Sequence, residues 1–229
     1  MRGKISTITV LLFLIACSSS RNAINKGPQE TRIKLSTDSG IIVFRLSDKT
    51  PLHRDNFIKL VKQHYFDSLL FHRVIKNFMI QGGDPDSKRA GPGVELGDGG
   101  PDYTVPAEFD TSLFHKKGAV AAARYGDDVN PKKASSGSQF YIVQGKVFTD
   151  KELDSIETYR LNGRKIPTRQ REVYKTIGGT PHLDMNYTVF GEVESGLEVV
   201  DKIAAAHGDS NNRPIKDIRM KMELMRRRK

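Results

Sequence analysis

Tryptophan is absent from the 229 residues, and cysteine occurs once, at position 17. One cysteine excludes an intramolecular disulfide and a cysteine-based zinc cage. No apolar run approaches the roughly 20 residues that a membrane-spanning helix needs. Neither a Walker-type phosphate loop nor a G-x-S-x-G elbow is present, which removes the commonest nucleotide-hydrolysing and serine-hydrolase signatures. The histidines His53, His64, His115 and His207 are scattered, with no carboxylate or cysteine at ligand spacing, so they are expected in surface or structural roles and no metal or cofactor is expected. Acidic residues are outnumbered, 27 against 37 Lys and Arg, for a net charge of +10. Those basic residues are dispersed except for Arg226–Lys229, and no aromatic run accompanies that cluster. It reads as a solvated tail, and nucleic acid is not an expected partner.

The chain begins with a basic segment, Arg2 and Lys4, followed by the short apolar stretch Ile5–Ala16. That stretch is too short to cross a bilayer and resembles a bacterial lipoprotein signal peptide, with Leu14-Ile15-Ala16-Cys17 similar to a lipobox. The resemblance implies acylation of Cys17, palmitate being one such chain, and a protein held in the cell envelope. Ser18 after the cysteine favours outer-membrane sorting, facing the periplasm. Residues 1–16 are then the signal, 17–30 a polar Gly-Pro-containing tether, 31–225 one globular domain and 226–229 the tail. Without the signal's two basic residues, the excess over acidic residues is 35 against 27.

Within the domain, Arg32–Leu35 and Gly40–Leu46 predict a hairpin about Asp38-Ser39-Gly40. Thr50-Pro51 predicts a helix start, with Thr50 as N-cap and proline in the first turn. Gly118–Ala122 reads as a buried strand of small residues, 86–102 as a long Gly-rich loop, and Leu197–Ala206 as a second helix. Ile218, Met220, Met222 and Leu224 alternate with charged residues, the mark of a last strand with one face inward. Many short strands and few helices predict a mostly β fold: a closed eight-stranded antiparallel barrel capped by helices. Residues 149–177 break this pattern. A capping box at Thr149/Glu152, apolar residues at helical spacing and a cap at Thr168 predict an inserted helical hairpin beside the functional pocket, against the alternative of a loose charged loop.

Residues 71–85, FHRVIKNFMIQGGDP, carry the most chemical information. Alternation around Phe71/Arg73 and Phe78/Ile80 predicts two short strands joined by Lys76-Asn77, so that Arg73 and Gln81 converge on one face. His72 falls on the other face and is expected to pack. An arginine that stays charged, set among large apolar residues, is an unusual thing to build for packing alone.

This block is similar to the F-H-R-x-I-x-x-F-M-x-Q-G-G-D signature of the cyclophilin family of peptidyl-prolyl isomerases. Gly137–Ile142 resembles that family's G-S-Q-F-F-I strand, and Leu183-Asp184 with Val189–Val193 resembles the segment closing its pocket. The resemblance implies a cyclophilin fold and isomerisation of X-Pro bonds in exported polypeptides by a monomer that needs no cofactor. It implies Arg73 as the catalytic donor with Gln81 supporting it. Phe78, Met79, Tyr141 and Leu183 become the proline socket, and Ala123 and Gln139 hold the peptide. Three matched positions depart from animal cyclophilins: Tyr141 for phenylalanine, Arg124 for asparagine and Tyr187 for histidine. His182 falls where tryptophan is common. The rival reading is a non-catalytic proline-peptide-binding module or chaperone using the same pocket.

Overall fold

The computed structural model describes residues 31–225; the expected signal (1–16), the expected tether with Cys17 (17–30) and the expected tail (226–229) lie outside the described residues. β1 (Arg32–Thr37) and β2 (Gly40–Leu46) form the expected hairpin, Ile33 facing Phe44 and Leu35 facing Ile42. Their alternate residues Ile33, Leu35, Ile42 and Phe44 are fully buried, because a two-residue side-chain period sends one whole face of the hairpin inward. The last strand, β10 (Met220–Leu224), pairs with β1 and turns Met220 and Met222 into the same core.

α1 (Pro51–Lys62) starts where expected, with Thr50 at the N-cap position, but the Thr50 side chain makes no capping hydrogen bond. Glu108 does: its two carboxylate oxygens accept the backbone N–H groups of Leu52 at 3.0 Å and His53 at 2.9 Å. A charged acceptor spanning two orphan donors also meets the positive end of the helix, which a single hydroxyl cannot match. The same carboxylate bonds His53 Nδ1 at 2.7 Å, and His53 Nε2 reaches Ser135 Oγ at 2.9 Å. Both side chains are sealed, His53 at 3% and Ser135 at 1% exposure, so this serine–histidine–glutamate series ties α1 to a distant strand and offers no nucleophile to solvent. Burial lowers the His53 pKa against the opposing pull of Glu108.

Next come β3 (Arg73–Ile75), β4 (Met79–Gly82), β5 (Thr104–Val105), β6 (Ala119–Ala122), β7 (Ser135–Ser136), β8 (Phe140–Val143) and β9 (Val189–Ser195). Eight strands make one antiparallel sheet in the order β10-β1-β2-β9-β6-β8-β4-β3, while β5 and β7 pair separately. The sheet curls but does not close, contrary to the barrel expected from the sequence. Its edge strands β3 and β10 share no ladder; the chain just before β3 meets the start of β10 at the bridge Leu70–Arg219, with Phe71 N–H donating to Ile218 O at 3.0 Å, Met220 N–H to Leu69 O at 2.9 Å and Ser68 N–H to Met220 O at 2.9 Å. β3 is only three residues long, and Val74 N–H donates to Asn212 O in the loop before β10, which diverts the edge from further pairing.

β6 and β8 are buried at every position, so the sheet is covered on both sides here. Inward, Phe140, Ile142, Val120 and Ala122 join a large core in which Phe57 contacts Phe44, Phe66, Phe140 and Phe190 at ring separations of 4.8–5.9 Å. Outward, Tyr141, Val143, Ala119 and Ala121 join Met79 and Val189 in a smaller cluster.

Residues 149–177 form two helices, α2 (Asp150–Tyr159) and α3 (Thr168–Thr176). The capping box at Thr149/Glu152 is complete. Thr168 is not a cap: Pro167 O accepts from Gln170 and Arg171 N–H, so the helix is already under way at Thr168. Phe148, Leu153, Leu161, Ile166 and Tyr174 give the insertion its own apolar core. Glu157, 2% exposed, pins it by accepting from Lys165, Arg171 and the Ile166 N–H at 2.8–3.0 Å. Burial raises the Glu157 pKa, but those three donors overcome it and hold the carboxyl down at about 2. The final helix, α4 (Leu197–Ala204), turns Val199, Val200 and Ile203 onto the main core.

Candidate active site

The site lies on the outer face of β4, β6 and β8. The β3–β4 turn places Asn77 at φ 63°, a left-handed conformation that asparagine tolerates better than most residues. Three residues, 76–78, connect the strands, one more than the expected Lys76-Asn77 pair, and the resulting register sets Arg73 directly opposite Gln81, on the one face where the two were expected to converge. Gly83 follows with φ 95°, and a Cβ there would lie 2.3 Å from Ser138 O, so only glycine lets β4 turn this close to the β8 segment.

A directed series of hydrogen bonds orients Arg73. The Gln139 amide nitrogen donates to the carbonyls of Gly97 and Gly99, both at 2.7 Å. Its oxygen therefore faces inward and accepts from Gln81 Nε2 at 3.0 Å. That bond turns Gln81 Oε1 outward to accept from Arg73 Nη1 at 3.2 Å. Each amide has one donor end and one acceptor end, so fixing the first fixes the rest. The loop supplying Gly97 is itself held by fully buried Asp84, whose oxygens accept from the N–H groups of Asp86 and Gly97. Arg73 makes no ion pair among the described residues. Burial lowers its pKa, although a guanidinium starts so far above neutrality that it stays charged at pH 7.

Beside Arg73 a cavity of about 300 Å³ is lined by Phe78, Met79, Gln81, Ala123, Tyr141, Leu183 and Tyr187, with His72 and Leu96–Asp98 completing its rim. Arg73 Cζ lies 6.0 Å from the Phe78 ring centre. An adjoining groove of about 440 Å³ shares Gln81, Gly97, Asp98, Ala123 and Arg124 with it and continues past Gln139, Tyr103 and Tyr125. One extended peptide can thus set an apolar ring in the first space and its neighbouring residues in the second.

Two expected contact residues sit differently. The Arg124 guanidinium is spent on protein: it donates to Asn186 O and Tyr125 O, pairs with Asp127 at 2.7 Å and lies 4.6 Å over the Tyr187 ring. It shapes the wall more than it offers a free donor. His182 does not line the cavity; its ring stacks behind Phe78 at 5.7 Å. Burial and neighbouring Arg160 lower its pKa to about 4. His72, 3% exposed, packs at the rim with neither ring nitrogen reaching a protein partner, and burial lowers its pKa to about 4. Both imidazoles are neutral at pH 7.

Sequence reasoning missed the rim at Leu96–Asp98 and the aromatic groove residues Tyr103 and Tyr125. Leu96–Asp98 come from the Gly-rich loop 86–102, and Tyr103 and Tyr125 from irregular segments beyond it, where no periodicity marks orientation. It also missed the partners of His115, which is fully buried between Asp184 and Tyr141. These partners are distant in sequence. Among the described residues, no group of three or more His, Cys, Asp or Glu is placed to hold a metal ion.

The chain matches the cyclophilin type peptidyl-prolyl cis-trans isomerase/CLD family over residues 32–223. It is 34% identical over 198 residues to a protein assigned as a peptidyl-prolyl cis-trans isomerase in Staphylococcus haemolyticus, covering 85% of this chain and 92% of that one. A protein of Streptococcus pyogenes assigned as a bifunctional phosphatase/peptidyl-prolyl cis-trans isomerase is also 34% identical over 196 residues; the match spans 84% of this chain but only 37% of that longer relative. The crystal structure of a Cryptosporidium parvum cyclophilin type peptidyl-prolyl cis-trans isomerase superposes with a TM-score of 0.62 at 23% identity, covering 87% of this chain and 100% of that one. A second structure of that protein was determined in the presence of the dipeptide Ala-Pro. The signature block, the curled sheet and the match over nearly the whole described domain lead to one conclusion: this chain belongs to the cyclophilin-type peptidyl-prolyl cis-trans isomerase family.

Proposed function

We propose that this chain catalyses cis–trans isomerisation of X-Pro bonds in exported polypeptides, working from a lipid anchor on Cys17 in the cell envelope. The observation that carries the catalytic part is the half-buried Arg73 guanidinium, free of any carboxylate among the described residues and aimed by Gln81 beside an apolar cavity. The barrier to rotation, about 18–20 kcal/mol, arises because the nitrogen lone pair is delocalised into the carbonyl. As the bond twists, that lone pair localises on nitrogen. An N–H donor aimed at it binds the twisted amide better than either planar form, which is the only requirement for catalysis here. The apolar cavity holds the proline ring, and the groove past Gln139 holds the flanking residues. No nucleophile, metal or cofactor enters.

Exchange of a short X-Pro peptide, followed by protease-coupled cleavage or by NMR exchange spectroscopy, tests this reading. The expected result is a rate increase proportional to protein concentration. Saturable peptide binding with no rate increase would instead make the pocket a binding module for proline-containing loops. The envelope assignment rests on the Leu14–Cys17 segment. Feeding cells an alkyne fatty acid should label the native protein and leave Cys17→Ser unlabelled and in the soluble fraction; label retained by that variant contradicts the anchor.

A further inference from the structure

The helical insertion reaches the pocket through a buried line of polar side chains. Tyr174 on α3 donates its hydroxyl hydrogen to Asp184 Oδ2 at 2.6 Å. The other oxygen, Asp184 Oδ1, accepts the backbone N–H of His115 at 2.8 Å and lies 2.9 Å from His115 Nδ1. His115 Nε2 is 3.0 Å from the Tyr141 hydroxyl, whose ring is part of the cavity wall. The carboxylate can only accept, so it fixes a proton on His115 Nδ1; in the neutral imidazole so oriented, Nε2 is the acceptor and the Tyr141 hydroxyl the donor. All four side chains are nearly solvent-free, from 0% for Tyr174 and His115 to 5% for Asp184. The Tyr141 ring is further set by His115, stacked at 6.0 Å and 17°, and by Tyr187, edge-on at 6.0 Å and 78°.

We infer that Tyr174, Asp184 and His115 are positioning residues for Tyr141, so that the insertion sets the shape of the proline socket instead of merely covering it. A phenylalanine at 141 would hold its ring by packing alone. A tyrosine brings a hydroxyl into a solvent-free wall, where it must find a partner, and the partner it has is anchored in the insertion. Arg164, between α2 and α3, donates to Asp184 O at 2.6 Å and fixes the backbone of the same linking residue. The inference rests on the isomerase reading of the cavity, yet the coupling between positions 174 and 141 can be read from peptide affinity alone.

A double-mutant cycle of Tyr174→Phe and Tyr141→Phe tests it, with kcat/KM for an X-Pro peptide and the peptide Kd as readouts. Neighbours in one hydrogen-bond network couple measurably, so Tyr174→Phe should lower kcat/KM or weaken Kd about 3- to 10-fold in the native chain and change neither by more than about 1.5-fold when position 141 is already phenylalanine. Glu157→Gln is the control, because it loosens the same insertion without touching the line. Additive effects in the cycle, no effect of Tyr174→Phe in the native chain, or an equal loss from Glu157→Gln while the protein remains folded would each overturn the inference. A native chain that binds peptide but turns none over would refute the isomerase reading and leave the coupling readable in Kd.

Discussion

Neighbouring residues of β8 face two different environments. Phe140 and Ile142 point into a core of hydrocarbon and aromatic rings, where Phe140 meets Phe57, Phe66 and Phe71 edge-on. Tyr141 and Val143 point the other way, into a smaller cluster threaded by His115 and Asp184 and tied through Asp184 to Tyr174 of the insertion. The inner face needs only shape, so its contribution is to stability. The outer face leaves one apolar cavity unfilled beside a half-buried cation. Unfilled volume and desolvated charge both cost stability, and a ligand that fills the first and uses the second recovers it. Function occupies the face where packing is incomplete.

Breaking the inner face should have the largest effect. Phe140→Ala removes a ring from the central aromatic group and is expected to cost about 3–5 kcal/mol, the range for aromatic truncation in cores. Thermal unfolding should show a large drop in Tm, and a drop of a degree or two would mean this face collapses easily around the gap. A smaller loss is expected on the outer face from Glu157→Gln. It leaves the buried donors of Arg171 and Ile166 poorly matched, at a cost of about 1–3 kcal/mol. Proteolysis should then open the insertion before the sheet; simultaneous loss of both would contradict a separately pinned insertion.

Acid should sharpen the contrast further. His72 and His182 titrate near 4 in the fold against an ordinary 6.5, so the stability from keeping them neutral is complete above about pH 6.5 and is lost as pH falls toward 4. Glu157, held at about 2 against 4.5, acts in the same direction at lower pH, its contribution declining from about 4.5 downward. None of these groups belongs to the inner face. Urea midpoints should therefore fall with acidification in the native chain and fall less steeply in His182→Phe. Equal slopes would mean His182 is not held neutral behind Phe78.

Much of this was legible in the sequence because it depends on local period. The Arg73/Gln81 convergence follows from two alternating runs, but the connection is the three residues 76–78 and not the Lys76-Asn77 pair, and it is this longer turn that sets Arg73 opposite Gln81. The insertion's helices follow from a capping box and apolar spacing. What escaped depends on residues distant in sequence. The first-turn donors of α1 are capped by Glu108, 56 positions beyond Leu52 and 55 beyond His53, and the open edge of the sheet reflects how Asn212 meets Val74. The fate of Arg124 depended on Asn186 and Tyr187, neighbours only in the fold. His115 looked isolated because its partners at 141 and 184 arrive from β8 and from the loop after the insertion.

The central claim is that Arg73 acts on the twisting amide and is not an ornament of the rim. Turnover of an X-Pro peptide by Arg73→Ala, with peptide affinity and melting measured on the same protein, tests this most directly. Losing one donor aimed at a transition state typically costs about 10²–10³ in rate, so kcat/KM should fall by about that much while the melting curve stays in place and most peptide affinity remains. A kcat/KM within about threefold of the native value at unchanged Tm would contradict the account.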